Sequence, residues 1–311
     1  MAATEAAATP SAEEILEREA RTGPRAGLAA LLAAVLAVAT GIAPQAIYAD
    51  SPRVYVLDAV RDAAGQDIGR PGLKTAEILF LNDKATALLL AAIGQALMTL
   101  LIGYVLLYLH DAATARGATT PRIARLLVLF GAIASAVANV GLQVAVMIRA
   151  HDFATSSDQS TQAAHDVLRA GGVLAFSAIG TFGSLAFAGG FVMVALAAMR
   201  IGLLTRFVGV LGAIAGVLVV LGPATGSSSF IVESFWLLML GGLLLGRWPT
   251  GMPRAWTEGV AAPWPSQQEI REGRQRARAE RAGGGSRTAA DEPETGAPNP
   301  AAARRKKRKR R

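Results

Sequence analysis

The chain has 311 residues, of which 52% are hydrophobic and only 17% are charged, so its composition lies outside that of ordinary soluble domains. It contains no cysteine, which excludes disulfides, thiolate metal sites and a cysteine nucleophile. The formal net charge of +8 is not spread over a nucleic-acid-binding face, because eight consecutive basic residues occupy positions 304–311.

Residues 1–25 are typical of a cytoplasmic N-terminal tail that carries a short acidic helix. Ser11 and Glu14 have the spacing of a capping box, in which each side chain satisfies a backbone N–H of the other residue. Gly23-Pro24 is expected to end this helix before the first apolar segment begins.

Apolar segments that can span a membrane follow along the chain. The longest, Gly171–Met199, has 29 residues without a charge and reaches roughly 43 Å as a helix, against about 30 Å for the hydrocarbon layer. A cleaved signal peptide is the alternative for the first segment, because Ile47-Tyr48-Ala49 fits a cleavage site, although the acidic leader argues against it. The spans are predicted at about 28–49, 85–109, 126–148, 171–199, 203–221 and 229–246.

Basic residues in the short flanking segments predict the orientation of the spans. Arg116, Arg122 and Arg125 lie on the same side as the N-terminus, and Arg200 and Arg206 join them there. Because basic residues concentrate on the cytoplasmic side, both termini are expected inside the cell. Heavy use of alanine, glycine and arginine is typical of GC-rich bacteria, so we expect a bacterial cytoplasmic membrane.

Polar residues recur at helical spacing inside three of the predicted spans. Amide and hydroxyl groups that face lipid are unfavourable, so these faces are expected to turn toward one another. One interpretation is a polar cavity that binds or passes a small solute, and the other is helix–helix association through hydrogen bonds. The residues are Gln95 and Thr99; Ser135, Asn139 and Gln143; and Ser177, Thr181 and Ser184.

Glu233 lies at the edge of the sixth apolar segment, where an interfacial acid is expected. It can pair with Arg149 or Arg169, or it can bind a proton or a cation. Alternatively, it only complements the positive end of the helix dipole.

The three histidines all precede aspartate, as His110-Asp111, His151-Asp152 and His165-Asp166. The last two pairs share one loop and leave metal binding open, but their spacing matches no zinc motif. Because the sequence has no phosphate-binding loop, zinc-protease motif or nucleophile elbow, we expect neither an enzyme nor a cofactor.

Residues 249–311 are predicted to form a cytoplasmic tail with a charged helix over 267–282 and disordered segments around it. Trp248, Trp256 and Trp264 are expected to anchor at the membrane interface, with each ring buried and each N–H in water. The terminal basic run favours contact with anionic lipid headgroups, and ribosomal or other RNA is the alternative. The run consists of Arg304, Arg305, Lys306, Lys307, Arg308, Lys309, Arg310 and Arg311.

The segment 203–216 has the sequence LLTRFVGVLGAIAG. It resembles a signature of uncharacterised bacterial multi-pass integral membrane proteins of unknown function, in which a short turn with Pro-Arg opens a glycine-spaced helix. Thr205 stands here where that signature has proline. The resemblance implies a helical membrane bundle and carries no activity.

Together these patterns predict an all-α, six-helix transmembrane bundle with disordered cytoplasmic tails. The leading function is that of a non-enzymatic membrane protein whose tail contacts anionic lipid or a cytoplasmic partner. The alternative is a small-solute or ion transporter that uses the polar stripes of spans two to four. A homo-oligomer is left open.

Overall fold

The computed structural model of the chain describes residues 10–52, 56–66, 73–119, 121–225, 229–249, 251–265, 268–269, 271–276 and 278. These residues form helices joined by short loops, and no strand occurs among them. The helices are α1 (Ala12–Tyr48), α2 (Val56–Ala63), α3 (Leu73–Asp83), α4 (Ala85–Ala115), α5 (Arg122–Thr155), α6 (Thr161–Leu168), α7 (Gly171–Arg200), α8 (Arg206–Thr225), α9 (Ser229–Leu244) and α10 (Arg254–Glu258).

Four helices, α1, α4, α5 and α7, are long and apolar enough to cross a membrane. Two shorter apolar stretches, Arg206–Leu221 in α8 and Ser229–Leu244 in α9, accompany them. Each of the six predicted spans therefore coincides with a helix. The all-α class is confirmed for the described residues, and the helices are those of a multi-pass membrane protein.

The predicted end of the first helix at Gly23-Pro24 is wrong, because α1 continues through Pro24 and Pro44 to Tyr48. Its start is as predicted, since Ser11 and Glu14 form both hydrogen bonds of the capping box. A proline removes one backbone donor, but a helix can continue through it where packing against neighbours compensates. Residues 12–25, predicted as a separate tail, are thus the first turns of the bundle's own helix. The alanines that α1 buries are Ala26, Ala30, Ala33, Ala34 and Ala37.

The long helices run alternately up and down in a single bundle. α1 packs against α4 and α9, α5 packs between α4 and α7, and α8 packs against α7 and α9. α1, α5 and α8 begin at one end of the bundle, and α10 lies there, so we name it the α10 end. At the opposite end, the loop end, α3 and α6 cover the end of α5 in a small apolar cluster around Ile78, Phe153 and Val167.

The bundle buries its bulkiest side chains between helices and exposes apolar residues outward, as expected for a protein that lipid surrounds. Trp236, Phe191 and Leu106 lie at the centre of the main core and are fully buried. Large apolar side chains such as Leu28, Leu90 and Phe130 are each more than 60% exposed on the outer surface. The apolar outer surface distinguishes this bundle from a soluble one, whose outer surface is mainly polar and charged.

The predicted boundary at residue 249 is too early, because the compact bundle unit continues to Trp264. The backbone N–H of Ala262 donates to the carbonyl oxygen of Ile201 at 3.0 Å, which ties this segment to the turn between α7 and α8. Gly202 in that turn has φ +82°, and a Cβ atom there would overlap the carbonyl of Ala262. The close approach therefore requires glycine.

The second unit, Pro265–Arg311, is described in part. Residues 268–269, 271–276 and 278 are helical, within the helix predicted over 267–282. Glu272 accepts a hydrogen bond from Gln268 Nε2 at 3.0 Å, and its carboxylate lies 3.9 Å from Arg276. The remaining residues of the predicted tail, among them Arg304–Arg311, lie outside the described part of the chain.

Candidate functional site

A cavity of about 460 Å³ lies inside the bundle, between α4, α5, α7, α8 and α9. Cavities of 300–1,000 Å³ are typical of small-molecule sites. Its lining reaches from Ser229 at the start of α9, near the loop end, to Phe187 in the middle of α7. The cavity thus occupies the half of the bundle that faces the loop end.

Seven of the eight polar residues predicted from helical spacing line this one cavity. α4 contributes two of them, α5 two and α7 three, because a spacing of three or four residues places them on one face of each helix. The seven are Gln95, Thr99, Ser135, Asn139, Ser177, Thr181 and Ser184. Gln143, one turn further along α5, lies outside the lining, and its Nε2 atom is buried without a hydrogen-bond acceptor in the described chain.

Three hydroxyl groups of the lining donate their protons to backbone carbonyls of their own helices. Thr99 Oγ1 donates to the carbonyl oxygen of Gln95 at 2.9 Å, Thr181 Oγ1 to that of Ser177 at 2.9 Å, and Ser184 Oγ to that of Thr181 at 3.0 Å. A hydroxyl has one proton and two lone pairs, so these oxygens remain as acceptors. These three acceptor oxygens lie in the cavity wall beside the amides of Gln95 and Asn139, which both donate and accept.

Glu233 is the charged member of the lining and adds a carboxylate to this wall. It lies on α9 one turn after Ser229, which also lines the cavity. Neither predicted partner, Arg149 or Arg169, forms an ion pair with it, and no other basic residue within the described ranges does so. A half-buried carboxylate without a counter-charge favours a cation or a proton beside it.

Aromatic side chains close the cavity toward the α10 end. Phe187 lines the cavity and is 2% exposed. Its ring contacts that of Phe191 edge-on at 6.1 Å, and Phe191 lies 4.7 Å from the ring of Trp236. Trp236 Nε1 donates to the carbonyl oxygen of Val208 at 3.0 Å, which fixes this ring against the start of α8.

Glycine allows α5 and α7 to approach closely enough to place their polar residues on one wall. A Cβ atom at Gly183 would lie 2.9 Å from the backbone nitrogen of Ser135. One helix further, a Cβ at Gly212 would lie 2.6 Å from Trp236 Nε1, so the aromatic floor depends on glycine as well. Small residues at such crossings are typical of membrane helix packing.

The three tryptophans predicted as interface anchors lie at the α10 end, away from the cavity. The expectation that their N–H groups contact water is wrong for two of them: Trp256 Nε1 donates to the carbonyl oxygen of Leu203 and Trp264 Nε1 to that of Leu204, both at 2.8 Å. Trp248 is half-buried against the main core. These contacts join residues more than fifty positions apart, so no local pattern could reveal them.

The histidine–aspartate pairs do not assemble into a cluster. Across the parts of the chain that the structure describes, no group of three or more histidine, aspartate and glutamate side chains is placed to hold a metal ion. His110 Nδ1 lies 3.4 Å from Asp111 Oδ1 near the end of α4, at the α10 end, whereas the other two pairs lie on α5 and α6 at the loop end.

Sequence reasoning missed Ser229 and the participation of Glu233 in the cavity. The signal was present, because the two residues are four apart on one helix face, as in the other polar stripes. The comparisons add no assignment: no family, curated protein or solved structure matches the chain.

Proposed function

We propose that the chain is a non-enzymatic six-span protein of a bacterial cytoplasmic membrane that binds and passes a small cationic solute through its central cavity. The observation that supports this is the convergence of seven predicted polar positions and Glu233, from four helices, on one cavity. Of the two interpretations of these polar stripes, the cavity favours solute binding over simple helix association.

The class of solute follows from the hydrogen-bonding character of the wall. Three of the hydroxyl groups donate their protons to backbone carbonyls, so their oxygens can only accept hydrogen bonds from a solute. When ionised, the Glu233 carboxylate favours a cation beside it. A small cation with several N–H donors satisfies both needs, whereas an anion meets an unpaired carboxylate and is repelled.

Guanidinium and urea test this proposal, because they are nearly identical in shape and differ in charge. The protein is reconstituted in proteoliposomes, and counterflow of each labelled compound is measured at millimolar concentration. We expect saturable guanidinium uptake and no uptake of urea above protein-free vesicles. Tetramethylammonium, a cation without N–H donors, should compete weakly. Equal handling of guanidinium and urea, or uptake of neither, would contradict the proposal.

Two variants with matched controls locate the activity. Glu233→Gln removes the charge and should lower guanidinium uptake at least about tenfold, while exposed Glu258→Gln should not change it. Asn139→Leu removes a cavity amide, and Gln143→Leu removes an amide outside the lining on the same helix. Only the first of these two should reduce uptake.

The basic run at residues 304–311 supports a second role, contact of the tail with anionic lipid headgroups. Each basic residue near an anionic leaflet gains about 1 kcal/mol, so eight are enough to hold a tail at the membrane. Removing residues 304–311 should lower binding of a peptide of residues 283–311 to vesicles containing phosphatidylglycerol. Undiminished binding to vesicles, or tighter binding to ribosomes, would argue against lipid as the partner.

A further inference from the structure

A second cavity, of about 410 Å³, lies at the α10 end between the first turns of α1, the last turns of α4 and the start of α5. It is separate from the central cavity and shares no lining residue with it. Its walls combine charged side chains with tyrosine and leucine. The polar and aromatic members are Glu14, Arg18, Glu19, Thr22, Tyr104, Tyr108, Asp111 and Arg125.

Two arginines flank one aspartate in this cavity without forming close hydrogen bonds to it. Arg18 Nη2 lies 4.0 Å from Asp111 Oδ2, and Arg125 Nη1 lies 3.9 Å from Asp111 Oδ1. Their side chains are 68% and 59% exposed, so their N–H groups are available to a ligand. Guanidinium groups bind phosphate through charge-assisted hydrogen bonds, so two exposed ones in one cavity suit a phosphate group.

The acids of the cavity limit the charge that such a ligand can carry. Glu19 is already paired with Arg116, which leaves Glu14 and Asp111 as the acids facing Arg18 and Arg125. Two negative and two positive groups sum to zero. A ligand with a phosphate and a primary ammonium keeps this balance and gives each group an opposite charge, whereas a purely anionic ligand places a surplus charge beside two carboxylates.

A row of exposed apolar side chains on α4 leads directly to the cavity. Its members follow one another at steps of three or four residues, so they lie on one face of the helix. They are Leu90, Ile93, Leu97, Leu100 and Tyr104, and the same steps continue to Leu107 and Asp111. From Leu90 to Asp111 the helix rises about 31 Å, close to the thickness of the hydrocarbon layer, so Asp111 lies at headgroup level.

We propose that this cavity is a binding site for one phospholipid with an ethanolamine headgroup. The phosphate lies between Arg18 and Arg125, the ammonium contacts Asp111 and Glu14, and an acyl chain follows the half of the exposed row on α4 that is nearer the cavity. Tyr104 covers the junction between headgroup and chain, since its ring is apolar and its hydroxyl is polar.

The test is lipid retention by the full chain. The protein is purified from membranes with known amounts of phosphatidylethanolamine, phosphatidylglycerol and phosphatidylcholine, and bound lipid is counted by native mass spectrometry. We expect one phosphatidylethanolamine to be retained about tenfold over the other two classes. Addition of glycerophosphoethanolamine, which has the headgroup without acyl chains, should not displace it at millimolar concentration, whereas displacement would identify a soluble phosphate ester as the ligand.

Exposed arginines provide matched controls. The pair Arg18→Gln and Arg125→Gln should abolish the preference, and the pair Arg21→Gln and Arg122→Gln, on the same helices but outside the lining, should leave it intact. Asp111→Asn should keep the lipid bound but shift the preference toward phosphatidylglycerol. Equal retention of all three classes by the unmodified protein, or an unchanged preference in the first pair, would overturn the proposal. Guanidinium uptake is measured in parallel, so the failure of one site is distinguishable from that of the other.

Discussion

The guanidinium of Arg116 is fully enclosed, and its partners come from three parts of the chain. It donates to both carboxylate oxygens of Glu19 and to the carbonyl oxygens of Ala112 and Ala255. Its Cζ atom also lies 5.3 Å from the ring of Trp256, whose other neighbour is the stacked ring of Tyr108. A charge in such surroundings is tolerated because every side of it meets a partner.

Glu19→Gln should destabilise the protein strongly, because it leaves the charge of Arg116 enclosed without a counter-charge. Loss of one member of a buried pair typically lowers the free energy of unfolding by about 3–5 kcal/mol. The double variant with Arg116→Met should recover much of this loss, which a double-mutant cycle measured by unfolding in detergent can detect. Glu17→Gln breaks an exposed pair with Arg21 and should change stability by less than about 1 kcal/mol. Equal effects of the two single variants would contradict this account.

Asp158 makes the loop between α5 and α6 sensitive to acid. The backbone N–H of Ser160 donates to Asp158 Oδ1 at 3.0 Å, and this hydrogen bond lowers the pKa of the carboxyl below its ordinary value. Since the folded pKa is depressed, the stabilisation is complete above the pKa of the unfolded chain and is lost as pH falls through the folded pKa.

Hydrogen exchange at the Ser160 amide should report this change. Its protection factor should fall as pH is lowered from neutral to about pH 2, and Asp158→Asn should make the protection independent of pH over the same range. A protection factor that falls equally in the variant would show that another group controls the loop.

For single residues, the sequence predicts which polar side chains face the interior of the bundle, but not which further residues line the cavity with them. Gln95, Thr99 and Asn139 are visible because an amide or hydroxyl in an apolar span has few favourable places. Glu233 lies near a helix end, where an interfacial role is equally compatible with the pattern. The spacing of Ser229 and Glu233 places both on one face of α9, but which neighbours that face meets depends on how α9 packs against the other helices.

Among the helices, the α5–α7 contact sets the shape of the cavity. Both helices bring their polar residues to one wall because glycine removes the side chain at their crossing. Gly183 faces the backbone nitrogen of Ser135, which cannot move aside as a flexible side chain can. Elsewhere a glycine has no such role: a Cβ at Gly242 on α9 would meet nothing within 4 Å.

Gly183→Ala and Gly242→Ala should therefore have opposite effects. The first forces a methyl group against backbone and should lower the free energy of unfolding by about 1–3 kcal/mol. The second should leave stability unchanged or raise it by up to about 1 kcal/mol, because alanine favours a helix more than glycine does. Thermal unfolding of both variants in the same detergent measures the difference. Destabilisation of similar size in both would show that helix packing at Gly183 is less tight than the structure has it.

The helices themselves were predictable because apolar length and flanking charge determine them. The continuation of α1 through Pro24 was not, since a proline ends a helix in water. Within the bundle, the tertiary contacts of the buried alanines on α1 outweigh that local preference.

For the whole molecule, the segment 251–264 belongs to the bundle and not to the tail. A chain that ends after Pro265 should unfold within about 2 °C of the full chain, because the bundle unit is complete. A chain that ends after residue 249 loses the indole hydrogen bonds of Trp256 and Trp264 and the carbonyl of Ala255 that accepts from Arg116, and should unfold at least about 5 °C lower. Light-scattering-monitored melting compares the two. Equal melting temperatures of the two truncated chains would show that the bundle ends at residue 249, as predicted from the sequence.

The proposed topology predicts the reactivity of introduced cysteines, because the chain has none of its own. A cysteine at position 301 should not react with a membrane-impermeant thiol reagent in intact cells, whereas one at position 158, in the loop between α5 and α6, should react. Permeabilised cells provide the control, in which both positions are labelled. Labelling of position 301 in intact cells would show that the C-terminus lies outside the cell and would contradict the proposed orientation.

One helix carries two parts of the central cavity whose positions are linked. Glu233 and Trp236 lie three residues apart on α9, so the carboxylate that lines the cavity and the indole that packs behind Phe187 and Phe191 move together with this helix. A movement of α9 that breaks the hydrogen bond between the Trp236 indole and the carbonyl of Val208 also moves the Glu233 carboxylate. Under the proposed function, solute binding at Glu233 and release of Trp236 from α8 are therefore mechanically coupled.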